Sequence, residues 1–237
     1  MRVVLCTSGG RPGQAVLDRL LGLPRVELAA IVLSTRVFSP RCGPLAGAWR
    51  HYRASGLRYA LYLGRAAAPR LRAPGIPLIR SRDLNGDEAC AAIGRLAPDL
   101  LLSAFFNQRI GERAAAVARH GAVNIHPSLL PELKGVDPVF YARLRGDAAG
   151  GVSVHRISAE LDGGNLIAQR TLPLPPDESV LEGTTRLYSA GAGLLLDSLD
   201  ALAAGAPGTP QPGPGSYFSW PGRAQVAALL RKGVRLA

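Results

Sequence analysis

The stretch that decides the fold is "DLLLSAFFNQRIGERAAAVARHGAVNIH", residues 99–126. It opens with an apolar run typical of a buried strand, continues with a helical pattern near residues 111–119, and closes with the short strand "AVNIH" at 122–126. A strand, a helix and a second strand in this order predict two parallel strands joined by a crossover helix. The same alternation extends toward the N-terminus.

The N-terminal part of the chain repeats this pattern of strand and helix. Helical patterns follow the first and the third of the apolar runs, at "GQAVLDRLLGL" and "DEACAAIGRLA". The predicted strands are "RVVLCTS" (2–8), "VELAAIVLST" (26–35) and "IPLIR" (76–80). Strands that alternate with helices predict an α/β protein with a Rossmann-like, doubly wound, mostly parallel sheet.

The pattern changes after residue 149. The runs "GGVSVHRIS" (150–158) and "NLIAQRTLPL" (165–174) have no helix between them, so we predict a hairpin that continues the sheet. Residues 178–205 then predict one long closing helix.

Two segments lie outside this alternation. Residues 206–216 are rich in Pro and Gly and are predicted to be extended or disordered, with a short helix in the tail that follows. We therefore divide the chain into one domain over 1–205 and a linker with a short C-terminal tail over 206–237. Residues 44–72 are apolar with interspersed Arg and are predicted to pack on the domain as a helix; a dimer face or a substrate lid are the alternatives.

Composition limits the kind of partner. The 237 residues carry a net charge of +11, and 47% of them are hydrophobic, which allows a sizeable core. The positive charge comes from scattered arginines, which disfavours a nucleic-acid partner without excluding one and leaves an anionic substrate open. Three cysteines without C-x-x-C spacing predict reduced thiols in the cytoplasm, and no apolar run is long enough to span a membrane.

Two polar residues stand at the end of the strand "AVNIH". Asn124 and His126 are two residues apart on a strand, so their side chains are expected on the same face. Pro127 ends the strand, which places both at its carboxyl edge, where ligands bind in open α/β sheets. The alternative is structural: a hydrogen-bonded Asn and a buried neutral His.

A carboxylate follows in "HRISAELDGGN", residues 155–165. Asp before Gly-Gly is most often a turn residue. Beside His126, however, Asp162 would hold the imidazole tautomer for proton transfer, while Asn124 could donate to a developing oxyanion. Amide, imidazole and carboxylate together fit acyl transfer without a covalent intermediate. We find no spacing typical of a Ser or Cys nucleophile or of metal ligands.

The loop "TSGGRPGQ" (7–14) joins the first strand to the first helix. Its backbone N–H groups could bind a phosphate at the helix N-terminus. A plain tight turn remains equally open.

The motif "NIHPSLLPELKG", followed by "GVSVHRISAELDGGNLIAQ", resembles the folate-dependent formyltransferase family over roughly residues 1–205. The resemblance implies transfer of a formyl group from 10-formyltetrahydrofolate to an amine, without a metal. It implies that Asn124 and protonated His126 stabilise the tetrahedral oxyanion and that Asp162 orients His126 and assists proton movement. His155 matches a histidine that supports the site.

The same resemblance implies two sets of binding residues. Those implied for the formyl donor are Phe105, Phe106, Asn107, Gln108, Arg109, Ile110, Glu160 and Leu161. Those implied for the acceptor are Ser8, Gly9, Gly10, Ser128 and Leu129.

The acceptor is less well defined. "SGGRPGQ" departs from the Ser-Gly-x-Gly-Ser-Asn loop of the family's ribonucleotide enzyme, and too few residues follow the closing helix for a tRNA-binding domain. We expect a small amine, such as an amino-sugar nucleotide or a specialised-metabolite precursor. The alternatives are a methionyl-tRNA formyltransferase-like protein without the tRNA domain, a 10-formyltetrahydrofolate hydrolase and a non-catalytic folate-binding relative. A homodimer also stays open.

Overall fold

A computed structural model describes residues 1–21, 23–36, 43–67 and 71–237. The strands are β1 (Arg2–Thr7), β2 (Glu27–Ser34), β3 (Leu78–Ser81), β4 (Leu100–Ala104), β5 (Ala122–His126), β6 (Lys134–Gly135), β7 (Ala149–Arg156), β8 (Leu166–Pro173) and β9 (Tyr217–Phe218). The helices are α1 (Gly10–Leu20), α2 (Pro44–Ser55), α3 (Leu57–Ala67), α4 (Asp87–Gly94), α5 (Glu112–Ala115), α6 (Pro138–Arg145), α7 (Val180–Asp197), α8 (Leu199–Ala203) and α9 (Arg223–Arg231).

Seven strands form one twisted sheet in the order β3-β2-β1-β4-β5-β7-β8. The first five are parallel, while β7 runs antiparallel to both β5 and β8. β4 is buried along its whole length, as expected of a central strand covered on both faces. The α/β, mostly parallel fold and the β7–β8 hairpin are confirmed.

Helices cover both faces of the sheet. α1 and α7 pack on one face, where Leu17 and Leu195 are fully buried, and α4 packs on the other through Ile93. A third apolar cluster joins α3, α6 and α9 beside the sheet and contains Tyr59 and Phe140. No described helix is long and apolar enough to cross a membrane.

Two predicted helices differ from the structure. The closing helix ends at Asp197 and is followed by the short α8, because Ser198 (φ −100°, ψ 1°) leaves the helical conformation and its hydroxyl donates to Leu194 O. The helix predicted near 111–119 is reduced to α5. The residues after α5 continue in tighter turns, in which Val117 N–H donates to Ala114 O.

The segment 44–72 contains a helix pair within its described residues. The predicted apolar helix is α3, and α2 precedes it across Gly56, whose φ of 87° favours glycine. Tyr59 and Tyr62 of α3 are buried against the domain. Residues 68–70 of this segment, and Cys42 before it, lie outside the described residues, whereas Cys6 and Cys90 are free, buried thiols.

The Pro/Gly-rich segment lies along the domain. We call residues 206–218 the strap: Thr209 bridges to Leu166 of β8, and β9 at its end pairs with β6. After α9 the chain returns to α7, where Arg235 O accepts from Val180 N–H at 3.0 Å. The tail thereby caps one of the free amides at the start of α7.

Candidate active site

β5 and β7 bring an amide and two imidazoles together. Asn124 on β5 lies opposite His155 on β7 in the antiparallel register. The side-chain Nδ2 of Asn124 lies 3.1 Å from Nε2 of His155. His126 follows at the end of β5, and the ring centroids of the two histidines are 6.5 Å apart. The site therefore spans two neighbouring strands.

His155 is held as a neutral hydrogen-bond acceptor. Its Nδ1 lies 2.8 Å from Arg156 O, so Nδ1 carries the proton and Nε2 accepts from the amide of Asn124. Burial lowers the pKa of His155 to about 4, and the nearby Asp162 carboxylate opposes this shift only in part. Because one amide hydrogen of Asn124 is bound to His155, the second remains available.

His126 is fixed on one side by the backbone and faces a carboxylate on the other. Its Nε2 lies 2.9 Å from Leu133 O and therefore donates to that carbonyl. Its Nδ1 lies 3.7 Å from Oδ1 of Asp162. The side chains of both residues are less than one-tenth exposed. At 3.7 Å the two groups do not form a direct hydrogen bond, so Nδ1 can also interact with a ligand or a water molecule.

The carboxylate of Asp162 lies near both histidines and near the backbone amide of Gly135. Its Oδ1 lies 3.7 Å from both His126 Nδ1 and His155 Nε2, and its Oδ2 accepts from Gly135 N–H at 2.8 Å. The residue has φ 52°, a left-handed conformation that Asp tolerates better than most residues. Gly164 passes so close to Arg156 that a Cβ would lie 1.8 Å from its carbonyl oxygen. The predicted turn and the predicted carboxylate role are thus compatible.

Four side chains of the first loop implied for the formyl donor, residues 105–108, contact other parts of the protein. Phe105 (φ 49°) packs edge-to-face on Tyr188, and Phe106 packs partly against the core. The side chain of Gln108 is buried and donates to Ser81 O, and that of Asn107 donates to Arg36 O. These side chains already contact the rest of the protein, so the backbone groups of these residues are what remain to bind a ligand.

A cavity of about 660 Å³ borders both implied donor loops. Arg109 and Ile110 line it, and so do Ser158 and Ala159, which precede Glu160 and Leu161 in the chain; Glu160 and Leu161 themselves do not line it. Asn124, His126 and Asp162 do not line it. Its size is typical of small-ligand sites.

The rest of the second loop is open to solvent. Leu161 is 44% exposed next to Asp162, an unusual position for a large apolar side chain. Glu160 is exposed as well and accepts from Lys134 Nζ at 2.9 Å. An apolar side chain and a charged one are therefore available at the cluster.

The residues implied for the acceptor lie in two places. Ser8 joins the donor loop, since Ser8 N–H donates to Phe105 O at 2.8 Å. Gly10 packs against α3, where a Cβ would lie 1.9 Å from Ala66 O, and this close approach explains the glycine without a phosphate. Gly9 is the N-cap of α1.

The other two residues implied for the acceptor follow β5. Ser128 Oγ donates to Glu132 O, and Leu129 packs on Gly151.

Several groups at the site were not identified from the sequence. Lys134 is buried and Gly135 supplies an amide to Asp162, although both belong to the quoted motif. Asp137 is partly buried, and desolvation raises its pKa to about 6, while the Tyr59 hydroxyl donates to it at 2.8 Å. Gln211 of the strap donates to the backbone of Asp162. Lysine is rare, with two in the chain, and this rarity is the signal that could have drawn attention to Lys134.

The fold and the cluster define a class: an α/β protein whose polar site lies at the carboxyl edge of a parallel sheet. Residues 54–199 match the family model described as formyl transferase. The chain therefore belongs to the formyl transferase family, whose members are enzymes that transfer formyl groups. Among the described residues, no group of three or more His, Cys, Asp and Glu side chains could hold a metal ion.

Known proteins resemble the chain in sequence and in fold. It is 42% identical over 138 residues to methionyl-tRNA formyltransferase of a Roseiflexus species, a match that covers 58% of this chain and 42% of that protein. The chain thus matches less than half of this relative's length. Similar folds include a sugar N-formyltransferase from a Shewanella species (TM-score 0.63, 16% identity, 98% and 87% of the two chains). Another is phosphoribosylglycinamide formyltransferase from Anaplasma phagocytophilum (TM-score 0.60, 20% identity, 92% and 98%).

Proposed function

We propose that this chain transfers a formyl group from 10-formyltetrahydrofolate to the amine of a small acceptor. The observation that carries the proposal is the convergence of Asn124, His126 and Asp162. Asn124 and His126 lie on β5 and Asp162 on the loop between β7 and β8, and together with His155 they form one largely buried cluster in a formyl transferase family member.

The cluster suits acyl transfer to nitrogen. The free amide hydrogen of Asn124 would donate to the formyl oxygen, where negative charge develops during attack. Nδ1 of His126 and Oδ1 of Asp162 are 3.7 Å apart and are not hydrogen-bonded to each other, so both atoms remain available to the amine that gives up a proton. Asp162 would accept the amine proton directly or through water, and burial strengthens each of these electrostatic contacts.

The cavity lined by Arg109 and Ser158 suits a folate donor. Its volume of about 660 Å³ fits a molecule of that size, and it borders both donor loops. Arg109 and Arg119 line it and carry charge that complements carboxylates. Leu161 offers an apolar contact for a flat ring. These features support the proposed donor, whose formyl group would extend from the cavity to Asn124.

The proposed acceptor is a small amine that carries negative charge. The net charge of +11 favours an anion electrostatically. A sugar N-formyltransferase has a similar fold, which keeps amino sugars among the candidate acceptors.

We also propose a cytoplasmic location, which the free thiols of Cys6 and Cys90 support.

The proposal is tested by incubating the full chain with 10-formyltetrahydrofolate and a panel of amines that includes amino-sugar nucleotides and aminoacyl-tRNA. We expect a formylated small amine and stoichiometric loss of the donor, detected by mass spectrometry. His126→Ala should abolish both signals while leaving donor affinity, measured by calorimetry, within a few-fold.

Other outcomes would replace the proposal. Formate without a formylated amine would indicate a hydrolase. Formylated aminoacyl-tRNA in preference to small amines would indicate the methionyl-tRNA reaction. Donor binding without turnover under any condition would indicate a non-catalytic relative.

A further inference from the structure

The strap contacts the loop that carries Asp162. Nε2 of Gln211 donates to Asp162 O at 2.7 Å and to Gly164 O at 2.8 Å. The orientation of this amide follows from its partners, because the flipped amide would set its oxygen against two carbonyl oxygens. Gln211 is therefore hydrogen-bonded to the turn on both sides of Gly163.

The strap also holds the loop that serves His126. Ser216 accepts from Lys134 N–H at 2.8 Å through its carbonyl and from Leu133 N–H at 3.0 Å through its hydroxyl. Phe218 O accepts from Val136 N–H at 2.8 Å. This loop supplies the two backbone groups of the cluster, Leu133 O to His126 and Gly135 N–H to Asp162.

The glycines of the strap allow this close contact. At Gly215, with φ 67°, a Cβ would lie 1.9 Å from Pro131 O. At Gly208, with φ 78°, it would lie 2.6 Å from Leu166 O. The composition that suggests a linker is therefore also what a segment needs to lie directly against backbone.

Asp162 needs such support. Its left-handed backbone conformation is unfavourable for a residue with a Cβ and persists only where the surroundings impose it. Gln211 is the strap residue whose side chain bonds this turn, 49 residues away along the chain.

We propose that Gln211 is a positioning residue of the active site, which fixes the Asp162 turn so that the carboxylate faces His126 and Gly135. The strap is then part of the site and not a linker. The expected loss of kcat rests on the proposed function, whereas the placement of Asp162 by Gln211 does not.

The experiment compares Gln211→Ala and Gln211→Glu with the unmodified full chain. Ala removes both hydrogen bonds, and Glu keeps the shape but has no amide donor. Asn165→Ala is the matched control, because the Asn165 amide also ties the chain to the strap, at Pro207 O, but does not bond Asp162. Two quantities are measured: kcat for formyl transfer, and hydrogen exchange of the Gly135 amide, which reports the position of the Asp162 carboxylate.

We expect both Gln211 variants to lower kcat about 10- to 100-fold, as a displacement of about 1 Å at a catalytic group does. Exchange at Gly135 should accelerate in both, while the amides of Val4 and Leu5 in the central strand β1 keep their protection. Asn165→Ala should match the unmodified protein in both measurements.

The proposal is overturned if Gly135 exchange stays unchanged in both Gln211 variants. It is also overturned if Asn165→Ala has the same effects as they do, or if Val4 and Leu5 lose protection together with Gly135. Faster exchange at Gly135 alone, in a protein that formylates no amine, would refute the proposed function while supporting the placement of Asp162 by Gln211.

Discussion

Replacing Asp162 by Asn removes one charge from the cluster and little else. Asn also tolerates φ 52° and keeps an oxygen for Gly135 N–H, so the fold should be unaffected. Because the variant cannot take up the amine proton, we expect kcat for formyl transfer to fall by about 100- to 10,000-fold. Steady-state kinetics and urea unfolding check both statements. Asp197→Asn, at an exposed carboxylate, is the control, and an unchanged kcat in Asp162→Asn would contradict the proposed role.

His155 should make stability depend on pH. Its pKa is about 4 in the folded protein and near 6.5 when unfolded. Between these values the unfolded chain binds a proton that the folded chain does not, so stability falls as pH decreases from 6.5 toward 4. Urea unfolding at pH 7, 6 and 5 should show a smaller loss for His155→Gln than for the unmodified protein. Parallel curves for the two would show that His155 is not the group responsible.

Among the elements, α7 packs on β5 and β7 through Gly191. A Cβ at Gly191 would lie 2.4 Å from Ile125 Cγ2 and 2.7 Å from Val152 Cγ2. Ile125 stands between Asn124 and His126, so displacement of the helix would be transmitted to the site. We expect Gly191→Ala to lower the free energy of unfolding by about 1–3 kcal/mol.

Gly193 in the same helix provides the matched control. A Cβ there would have no atom within 4 Å. Gly193→Ala should raise the free energy of unfolding by about 0.5–1 kcal/mol, because alanine favours the helix. Thermal or urea unfolding of the two variants measures the contrast, which would be lost if both changed stability alike.

The elements also show what the sequence could predict. Local patterns were sufficient for β4, β5 and the β7–β8 hairpin, because a buried strand bounded by turns is recognisable from its own residues. The break at Ser198 is a local change of backbone conformation, and no pattern in the sequence indicates it. Motifs selected Asn124, His126 and Asp162 as candidates, and their catalytic roles stay predictions. No motif selects Gln211, because its proposed role arises from a contact between residues far apart in sequence.

For the whole molecule, net charge should govern the encounter with substrate. A charge of +11 attracts anions over distances that salt shortens from about 10 Å at 0.1 M to about 3 Å at 1 M. We expect kcat/KM for an anionic amine acceptor to fall steeply as NaCl is raised, and kcat/KM for a neutral amine to change little. Stopped assays across a salt series measure both. Equal salt dependence for the two amines would argue against steering by the overall charge.

The strap has a further consequence for the order in which the protein is made. The strands of the seven-stranded sheet, the loop with Leu133 and Gly135, and the turn at Asp162 all precede the strap in the chain. They therefore leave the ribosome before the strap does. A nascent chain can therefore assemble its sheet while Gln211 and Ser216 are still being synthesised. On this account, ability to bind and use substrate would be acquired in a distinct late step, after most of the molecule has already folded.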